Sequence, residues 1–581
     1  MLAARPTRVL FLVAPGEQPM FTRMNLPPFG TGIVTASLRA HGYDVDLHDL
    51  NSDLWRMYQA GEFTKADLRP FFEERTVVDY VNGGPNEFLD GFVSRLLSGK
   101  DIESADVVGI SAGGDFSFLE IMSAAVVGGH IKHRYGKPVV LGGNNLDYLM
   151  QFHDAFASWW DACITHFHAA VTGPGEDVFL DLIAALGGGS GRQLLPMARP
   201  GVARMFGDTV VRAPDAAHRI LAPDFDGLRL ADYNNYVRHR PEASPRKQQA
   251  DEMWNRMQLY QFPAYLSWLA NDANAAQDGN GVRGRLVMPY VFNYNCPYSC
   301  AFCTESLERV KLVHATVDDI IADMEGLSKK YDTPYFFLFN NYFNLVNGFV
   351  EEFASRVVLH GVELNWSDCA RFNGLTYERL ALLADSGCRK LTFGLETAST
   401  KMLKIIDKRV KLAEAERVLR WCKEIGIWAD LEIITGLPHE DEETFAETTD
   451  FLERNAEYIN YFNVNRYFVA PKSQMGARPE AYGMRLRKFP DAFQRLLDAN
   501  YRWLADDLEF SYKPQNFRVY EFDEIDGRSA EELAGVIVPK IAKLNEIQST
   551  DFSDAWRLLS LRQDRPGRAP ARLSNETMAV A

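Results

Sequence analysis

The sequence predicts an α/β protein with a Rossmann-like, flavodoxin-like N-terminal domain, a partial (β/α)6 barrel of the TIM type and a helical C-terminal segment. Short apolar runs alternate with amphipathic helical patterns over residues 8–185, and the alternation returns over residues 285–468. The chain has 581 residues, more than one hydrophobic core can organise. We expect boundaries at 1–190, 191–284, 285–480 and 481–581, the second part being a connector.

The first third is predicted to form a parallel sheet. Its strands are expected at 8–14, 43–49, 106–111, 138–143 and 169–176, with helices at 32–41 and 118–135. Ligands of such sheets lie outside the carboxyl ends of the strands, and glycine there lets a large group approach the backbone. Candidate ligand-binding residues at these ends are Pro28, Gly30, Ser111, Gly142, Gly143, Gly173, Gly175 and Glu176.

Two observations limit that interpretation. Glycine also serves simply to make tight βα turns, which is the ordinary reading of any single loop. No G-x-G-x-x-G pattern follows the first strand, which disfavours NAD.

The connector begins with a glycine-rich linker at 187–191 and a predicted hairpin at 201–211. Residues 240–285 are polar with interspersed aromatic side chains, which favours helices packed between the domains or, alternatively, the wall of a pocket.

Six βα units are predicted in the central part. The strands are expected at 286–293, 335–339, 363–367, 390–393, 429–435 and 461–468, and the helices at 317–331, 377–386, 412–425 and 442–455. Six units form a partial barrel with its site at the carboxyl ends of the strands.

Three cysteines within eight residues follow the first barrel strand: Cys296, Cys300 and Cys303. Thiolates this close together suit an iron–sulfur cluster or a soft metal, and three ligands would leave one iron of a four-iron cluster open. A zinc site with His314 as fourth ligand is the alternative, although its spacing is uncommon. Disulfides are disfavoured because seven cysteines is an odd count and no signal peptide is evident.

The four other cysteines are scattered among apolar residues, where buried thiols are common, and a role for one of them as hydrogen-atom donor stays open.

Composition excludes several classes of function. Hydrophobic residues make up 46% of the chain and charged residues 24%, as in ordinary globular proteins, and no apolar run is long enough to span a membrane. The net charge of −16 disfavours a nucleic-acid partner, since phosphate binding needs a basic surface. We therefore expect a cytoplasmic protein without membrane or nucleic-acid contacts.

The C-x3-C-x2-C spacing, with Phe302 before the last cysteine, resembles the signature of radical S-adenosylmethionine (SAM) enzymes. Later segments resemble the same superfamily in order and spacing. The resemblance implies that the three cysteines hold a [4Fe-4S] cluster and that SAM contacts the following side chains and turns: Phe302, Asn340, Asn341, Arg371, Glu396, Ser399, Gly436 and Pro438.

Within that set the resemblance assigns individual roles. Arg371 would hold the SAM carboxylate, for which a planar guanidinium is suited. Glu396, in the turn Gly394-Leu-Glu-Thr-Ala-Ser399, would accept hydrogen bonds from the ribose. Asn340 and Asn341 stand where the family often has two aspartates, and His439 replaces a usual glycine.

The N-terminal third resembles the cobalamin-binding domain that precedes many radical SAM domains. The loop after the first strand lacks the D-x-H-x-x-G motif of histidine-ligated cobalamin, and His48 is interpreted as an ordinary strand residue. A cobalamin bound here would therefore lack a histidine ligand.

The resemblance implies a cobalamin-dependent radical SAM methyltransferase. Such an enzyme acts on an unactivated carbon of a secondary metabolite or peptide through a 5′-deoxyadenosyl radical and methylcobalamin. A reducing partner such as flavodoxin or ferredoxin would supply electrons. Cyclisation, rearrangement, non-radical methyl transfer, a domain that no longer binds cobalamin and a non-catalytic sensor are the alternatives.

The C-terminal segment is expected to contain helices at 489–508 and 530–546. They would cap the mouth of the barrel or, equally, cover its open edge. The final residues from 565 have a composition typical of disorder.

Overall fold

The computed structural model describes residues 7–16, 26–113, 118–187, 202–205, 211–212, 220–233, 286–304, 311–497 and 519–548. The linker at 187–191 lies almost entirely outside these ranges. The aromatic connector at 240–285 and the tail from 565 lie wholly outside them.

The N-terminal domain is built on a seven-stranded sheet in the order β2-β1-β3-β4-β5-β6-β7. The first five strands are parallel, and β6 and β7 add antiparallel pairs at the edge. The strands are β1 (Arg8–Val13), β2 (Asp44–Asp49), β3 (Val107–Ser111), β4 (Val139–Gly142), β5 (Ala169–Thr172), β6 (Val202–Met205) and β7 (Val211–Arg212). The order 2-1-3-4-5 of the parallel strands confirms the flavodoxin-like prediction.

Eight helices of at least eight residues accompany this sheet in the described residues. They are α1 (Phe29–Ala40), α2 (Leu50–Gln59), α3 (Glu74–Val81), α4 (Glu87–Leu96), α5 (Phe118–Tyr135), α6 (Asn144–Gln151), α7 (His153–Cys163) and α8 (Val178–Gly187). The helices between β2 and β3, together with a 3-10 helix at Lys65–Phe72, were not in the prediction. Their apolar faces join the core of α5 and thicken that side of the sheet.

The central domain is a six-stranded parallel sheet in the order β8-β11-β12-β13-β14-β15. The strands are β8 (Met288–Tyr290), β11 (Tyr335–Leu338), β12 (Asn365–Ala370), β13 (Cys388–Glu396), β14 (Trp428–Thr435) and β15 (Tyr461–Arg466). A short hairpin follows β8, with strands β9 (Asn293–Tyr294) and β10 (Val313–His314). The six predicted strands are confirmed in order and type.

Helices separate these strands. They are α9 (Val317–Tyr331), α10 (Phe349–His360), α11 (Tyr377–Asp385), α12 (Thr400–Ile405), α13 (Leu412–Ile425) and α14 (Glu442–Arg454), and a short helix α15 (Gln474–Ala477) follows the last strand. The outward side chains of the strands, such as Phe393, Leu431 and Val464, pack with these helices in one apolar core. The inward side chains of the same strands are largely polar, and they line the site described below.

Phe225 ties the two domains together. Its ring is fully buried within the core of the barrel domain, and its backbone N–H donates to the Tyr331 hydroxyl of α9 at 2.8 Å. The same ring lies directly against Gly32 of α1, where an added Cβ would come within 2.4 Å of it. Asp224 reinforces the joint through ion pairs to Arg39 at 3.0 Å and Lys330 at 2.9 Å.

The C-terminal segment contains an antiparallel hairpin that the prediction lacked, β16 (Met484–Lys488) and β17 (Tyr520–Glu524), followed by the helix α16 (Ala530–Ile547). Residues 489–497 pack into the N-terminal core, where Phe493 meets Phe156 at 5.3 Å between ring centroids. Of the predicted helix at 489–508, residues 492–497 are helical and 498–508 are outside the described ranges.

Helix α16 covers the open edge of the barrel and also reaches its mouth. The N–H of Phe462 in the edge strand β15 donates to Gln548 just beyond the helix at 3.0 Å. Farther along, Lys540 lies 3.3 Å from Glu440 in the turn after β14. One helix therefore lies both over the open edge of the barrel and at its mouth, the two positions that the sequence left open.

Gly32 and Gly30 provide a matched pair of positions on the first turn of α1. Gly32→Ala would drive a methyl group into the Phe225 ring, and we expect it to lower the free energy of unfolding by ~1–3 kcal/mol. Gly30→Ala meets nothing within 4 Å and should be neutral or stabilising by up to ~1 kcal/mol, since alanine favours helix. Urea unfolding followed by circular dichroism checks both, and equal stabilities would contradict the packing at Phe225.

Candidate active site

The carboxyl edges of the two sheets face each other. Phe29, after β1, stacks on Phe339, at the end of β11, with 5.8 Å between ring centroids. Glu176, after β5, lies close to Tyr294 of the cysteine loop. Burial, and secondarily the negative charge of Glu176, raises the pKa of Tyr294. Residues from the carboxyl edges of both sheets therefore lie close together, although they are far apart in sequence.

The cysteine loop is clamped by two distant segments. Its middle is held by the turn after α12, where the Ala301 N–H donates to the Ile406 carbonyl at 2.8 Å and Ser299 Oγ donates to Asp407 at 2.5 Å. The segment after β15 closes it from the other side, with Gln474 Nε2 donating to the Ser299 carbonyl at 3.0 Å. The loop is thus positioned by tertiary hydrogen bonds at the end of β8.

Cys300 is buried at the centre of this loop, while Cys296 and Cys303 are half-buried on either side. Burial raises the pKa of the Cys300 thiol, and the cations Lys408 and Arg371 oppose that shift. Among the described residues no three Cys, His, Asp or Glu side chains, these cysteines included, stand in a metal-binding arrangement. The donor chemistry nevertheless fits an iron–sulfur cluster, because three thiols lie in one loop beside two cations that favour thiolates.

His314, the alternative fourth ligand, packs against Phe349 with 4.6 Å between ring centroids. Its Nδ1 lies 2.7 Å from the Ala315 carbonyl oxygen.

Arg371 is a buried cation with free hydrogen-bonding capacity. Its guanidinium lies over the Tyr298 ring at 3.5 Å from the centroid, and its Nε and Nη1 atoms have no hydrogen-bond partner within the described parts of the chain. A buried charge without a partner is costly, so this group suits an anionic ligand. The carboxylate of SAM, predicted for Arg371, matches that requirement.

Glu396 forms a buried ion pair that the sequence did not predict. Lys408 Nζ lies 2.7 Å from Glu396 Oε1 and donates to the Tyr342 hydroxyl at 3.1 Å. The pair passes over Gly394, where a Cβ would lie 2.6 Å from either charged atom. Despite the cost of its burial, the negative charge of Glu396 raises the pKa of Lys408. Glu396 therefore stands at the mouth, and one of its oxygens is held by Lys408.

Asn340 has a structural role in this conformation. Its Oδ1 accepts from the backbone of Phe292 and Asn293 at 2.9 and 3.0 Å, and its Nδ2 donates to Asp368 at 2.7 Å. Asn341 donates its backbone N–H to Asn293 at 3.2 Å. Asn340 thus fixes the strand that leads into the cysteine loop.

The other predicted SAM residues lie on the mouth turns. Ser399 is buried and caps α12, and the Gly436 N–H donates to Glu440 Oε2 at 2.9 Å. Pro438 follows in the same turn. Phe302 is half-buried, and the centroid of its ring lies 5.9 Å from Lys408 Nζ. His439 takes a positive φ of 66° where the family has glycine. Hydrogen bonds to the Tyr482 carbonyl at 2.9 Å and to Glu524 at 2.7 Å hold it there.

The predicted residues of the N-terminal edge form two kinds of turn. Gly143 has φ 115° and passes so close to the Ala112 carbonyl that a Cβ would lie 2.4 Å from its oxygen. Gly173 also has positive φ, with open space around it, and Gly142 and Gly175 make ordinary contacts. Close approach of a ligand to the backbone is therefore possible at the open positions, whereas Gly143 is required by the turn itself.

Three more predicted residues complete this edge. Ser111 ends β3, Pro28 precedes α1, and the Glu176 carbonyl accepts from Ser37 at 3.0 Å. Glu120, absent from the prediction, joins the two central loops by accepting from the Gly113 N–H at 3.0 Å and from Asn145 at 2.7 Å. His48 lies on the edge strand β2, 3.0 Å from Asp46, as an ordinary strand residue would.

Residues 290–452 match the family model of the radical SAM superfamily. The chain contains a radical SAM domain. With that domain come a [4Fe-4S] cluster and SAM as cofactors, as the sequence predicted.

Two curated relatives match part of the chain. An uncharacterized methyltransferase of Pyrococcus horikoshii is 24% identical over 160 residues, 27% of this chain and 35% of that protein. The anaerobic magnesium-protoporphyrin IX monomethyl ester cyclase of Rubrivivax gelatinosus is 24% identical over 230 residues, 36% of this chain and 41% of that protein. The matched region thus spans well under half the length of these relatives.

Two solved structures share the fold over nearly the whole chain. The radical SAM methyltransferase TsrM of Kitasatospora setae, with cobalamin and a [4Fe-4S] cluster bound, superposes with a TM-score of 0.56 at 16% identity. That alignment covers 95% of this chain and 90% of TsrM. The cobalamin-dependent radical SAM enzyme OxsB gives a TM-score of 0.51 at 14% identity, covering 93% of this chain and 62% of OxsB. The predicted fold class, a Rossmann-like parallel sheet followed by a partial barrel, is therefore confirmed.

No helix in the described ranges is long and apolar enough to cross a bilayer.

Lys408→Met would leave Glu396 buried without its counter-ion, and we expect the free energy of unfolding to fall by ~3–5 kcal/mol. The double variant Lys408→Met/Glu396→Gln removes both charges and should recover most of that loss. Anaerobic urea unfolding of the apoprotein measures both variants. If the single variant were as stable as the native protein, the buried pair would not exist.

Proposed function

We propose that this protein is a cobalamin-dependent radical SAM enzyme, and most simply a methyltransferase that acts on an unactivated carbon of a secondary metabolite or peptide. The observation that carries the proposal is the facing of the two carboxyl edges. One edge belongs to a sheet of flavodoxin order, and the other carries the cysteine loop and Arg371. A corrin on the first edge would stand opposite SAM on the second.

The residues divide the work between these edges. Cys296, Cys300 and Cys303 would hold the cluster, Arg371 the SAM carboxylate and Glu396 the ribose. The glycine-containing loops with Pro28, Gly30, Ser111, Gly142, Gly173, Gly175 and Glu176 would receive cobalamin, with no histidine to bind the metal from below. One SAM would supply the carbon radical and a second SAM the methyl group, while the protein orients them and excludes water.

The surroundings of the reaction follow from the same proposal. Because such a cluster is readily oxidised, it needs a reducing compartment, and we place the protein in the cytoplasm with flavodoxin or ferredoxin as electron donor. The net charge of −16 argues against a nucleic-acid substrate. We also propose domain boundaries at 190, 284 and 480. Residues 1–190 would bind cobalamin, and residues 285–480 would bind the cluster and SAM.

A ring-forming reaction is the second candidate. It is favoured by the partial match to a protein named as a cyclase. Cyclisation would use the same two edges without a methyl donor, so S-adenosylhomocysteine formation and the mass of the product distinguish it from methyl transfer.

Anaerobic purification with cobalamin supplied, followed by iron and sulfide reconstitution, tests the proposal. We expect cobalamin in a one-to-one ratio with the chain and about four irons, with formation of 5′-deoxyadenosine and S-adenosylhomocysteine under reduction. Iron without cobalamin would contradict the methyltransferase proposal and leave a plain radical SAM enzyme.

Replacing Cys296, Cys300 and Cys303 together by serine should abolish iron binding and SAM cleavage, because hydroxyl groups are poor ligands for iron–sulfur clusters. Cobalamin should still bind, since its edge is untouched. Cys422→Ala, buried on α13, is the control and should keep its iron. Full iron content in the triple variant would remove these cysteines from the site.

A further inference from the structure

The turn that follows β14 is held by a single carboxylate oxygen. Glu440 Oε2 accepts from the Thr435 hydroxyl and from the Gly436 N–H, both at 2.9 Å. Lys540 Nζ of helix α16 donates to the same oxygen at 3.3 Å, although it lies 100 residues away in sequence. This one oxygen therefore joins the start of the turn, the end of the turn and the C-terminal helix.

Lys540 and Glu440 form a buried ion pair. Their side chains are 4% and 5% exposed, and the Lys540 ammonium also lies over the Phe445 ring, 4.9 Å from its centroid. A second carboxylate, that of the exposed residue Glu442, lies 3.9 Å from the same ammonium. Burial of a carboxylate is costly, and Lys540 supplies a positive charge in direct contact with Glu440 that offsets the cost.

Helix α16 makes a second contact with the same turn. Gly436 has a φ of 83°, and a Cβ added there would lie 2.8 Å from the Ile537 side chain. Ile537 precedes Lys540 by three residues, and side chains with that spacing are neighbours on a helix surface. The helix therefore packs on the backbone of Gly436 while it holds the carboxylate of Glu440.

We propose that Lys540 is a positioning residue for SAM and that it acts through Glu440 on the turn at Gly436–Pro438. This inference rests on the proposed function, in which that turn contacts SAM, and it adds the C-terminal helix to the site. A binding turn must be held within a fraction of an ångström of its productive geometry. The cysteine loop is held by other segments, so a change at Lys540 should alter SAM binding and leave the cluster in place.

Lys540→Met tests the inference, since methionine keeps an unbranched side chain against Phe445 and removes the charge. Anaerobic equilibrium dialysis of the reconstituted protein measures the Kd for SAM, and deoxyadenosine formation at saturating SAM measures the rate. We expect Kd to rise by roughly tenfold or more, with iron content unchanged and the saturating rate within about twofold of the native rate. Lys540→Arg keeps the charge, and its Kd should stay within about threefold of the native value.

Two further variants complete the design. Lys543→Met removes an equal charge from the exposed side of the same helix, where Lys543 lies 3.8 Å from Glu453, and should bind SAM as the native protein does. The double variant Lys540→Met/Glu440→Gln removes both buried charges, which avoids an unpaired one if Lys540→Met does not fold. It lacks the same contact and should lose SAM affinity to the same extent as Lys540→Met.

The inference is overturned if Lys540→Met, or the double variant in its place, binds SAM within about threefold of the native protein. It is also overturned if Lys543→Met loses as much affinity, if Lys540→Arg restores none, or if iron is lost together with SAM. When the native protein cleaves SAM, each of these outcomes removes the role of Lys540 alone. A native protein that binds SAM without cleaving it removes the proposed function, and the ratio of Kd values still decides the role of Lys540.

Discussion

The structure depends on the contact between the Phe225 ring and Gly32. The ring belongs to the core of the barrel domain, and the glycine lies on the first helix of the N-terminal sheet. A side chain at residue 32 would overlap the Phe225 ring. The lack of a side chain on Gly32 therefore allows the N-terminal domain and the barrel domain to pack this closely. The C-terminal hairpin adds a second joint, where Tyr520 donates to Asp154 at 2.8 Å. These two joints hold the ligand-binding edges opposite each other.

Much of this architecture could be predicted from the sequence, because local patterns carry it. The hydrophobic periodicity of the strands and helices predicted both parallel sheets. The three closely spaced cysteines of one loop indicated an iron–sulfur cluster. Pairings between distant residues could not be predicted. Lys408 reaches Glu396 because helix α12 and the turn after it bring the chain back to the end of β13. Nothing in the sequence around Lys408 indicates that partner. The hairpin β16–β17 is absent from the prediction, although Met484-Arg-Leu-Arg-Lys488 alternates with period two.

The polar interior of the barrel is visible as a pattern in the sequence. Lys390 and Thr392, Asp430 and Glu432, and Asn463 and Asn465 repeat polar residues at every second position of three neighbouring strands. In a closed barrel such positions point inward. Their charges are costly to bury unless paired, which explains why each lysine there has a carboxylate within hydrogen-bonding distance. Polar inward and apolar outward residues on the same strands are what a ligand-binding barrel interior requires.

In the proposed enzyme, cobalamin and the cluster would occupy facing edges of one space. Electron paramagnetic resonance of the reduced protein, loaded with cob(II)alamin and the [4Fe-4S] cluster, measures their proximity directly. We expect two spin signals that broaden each other, and loss of that broadening in the protein that lacks the three loop cysteines. Independent signals from a protein carrying both groups would contradict it.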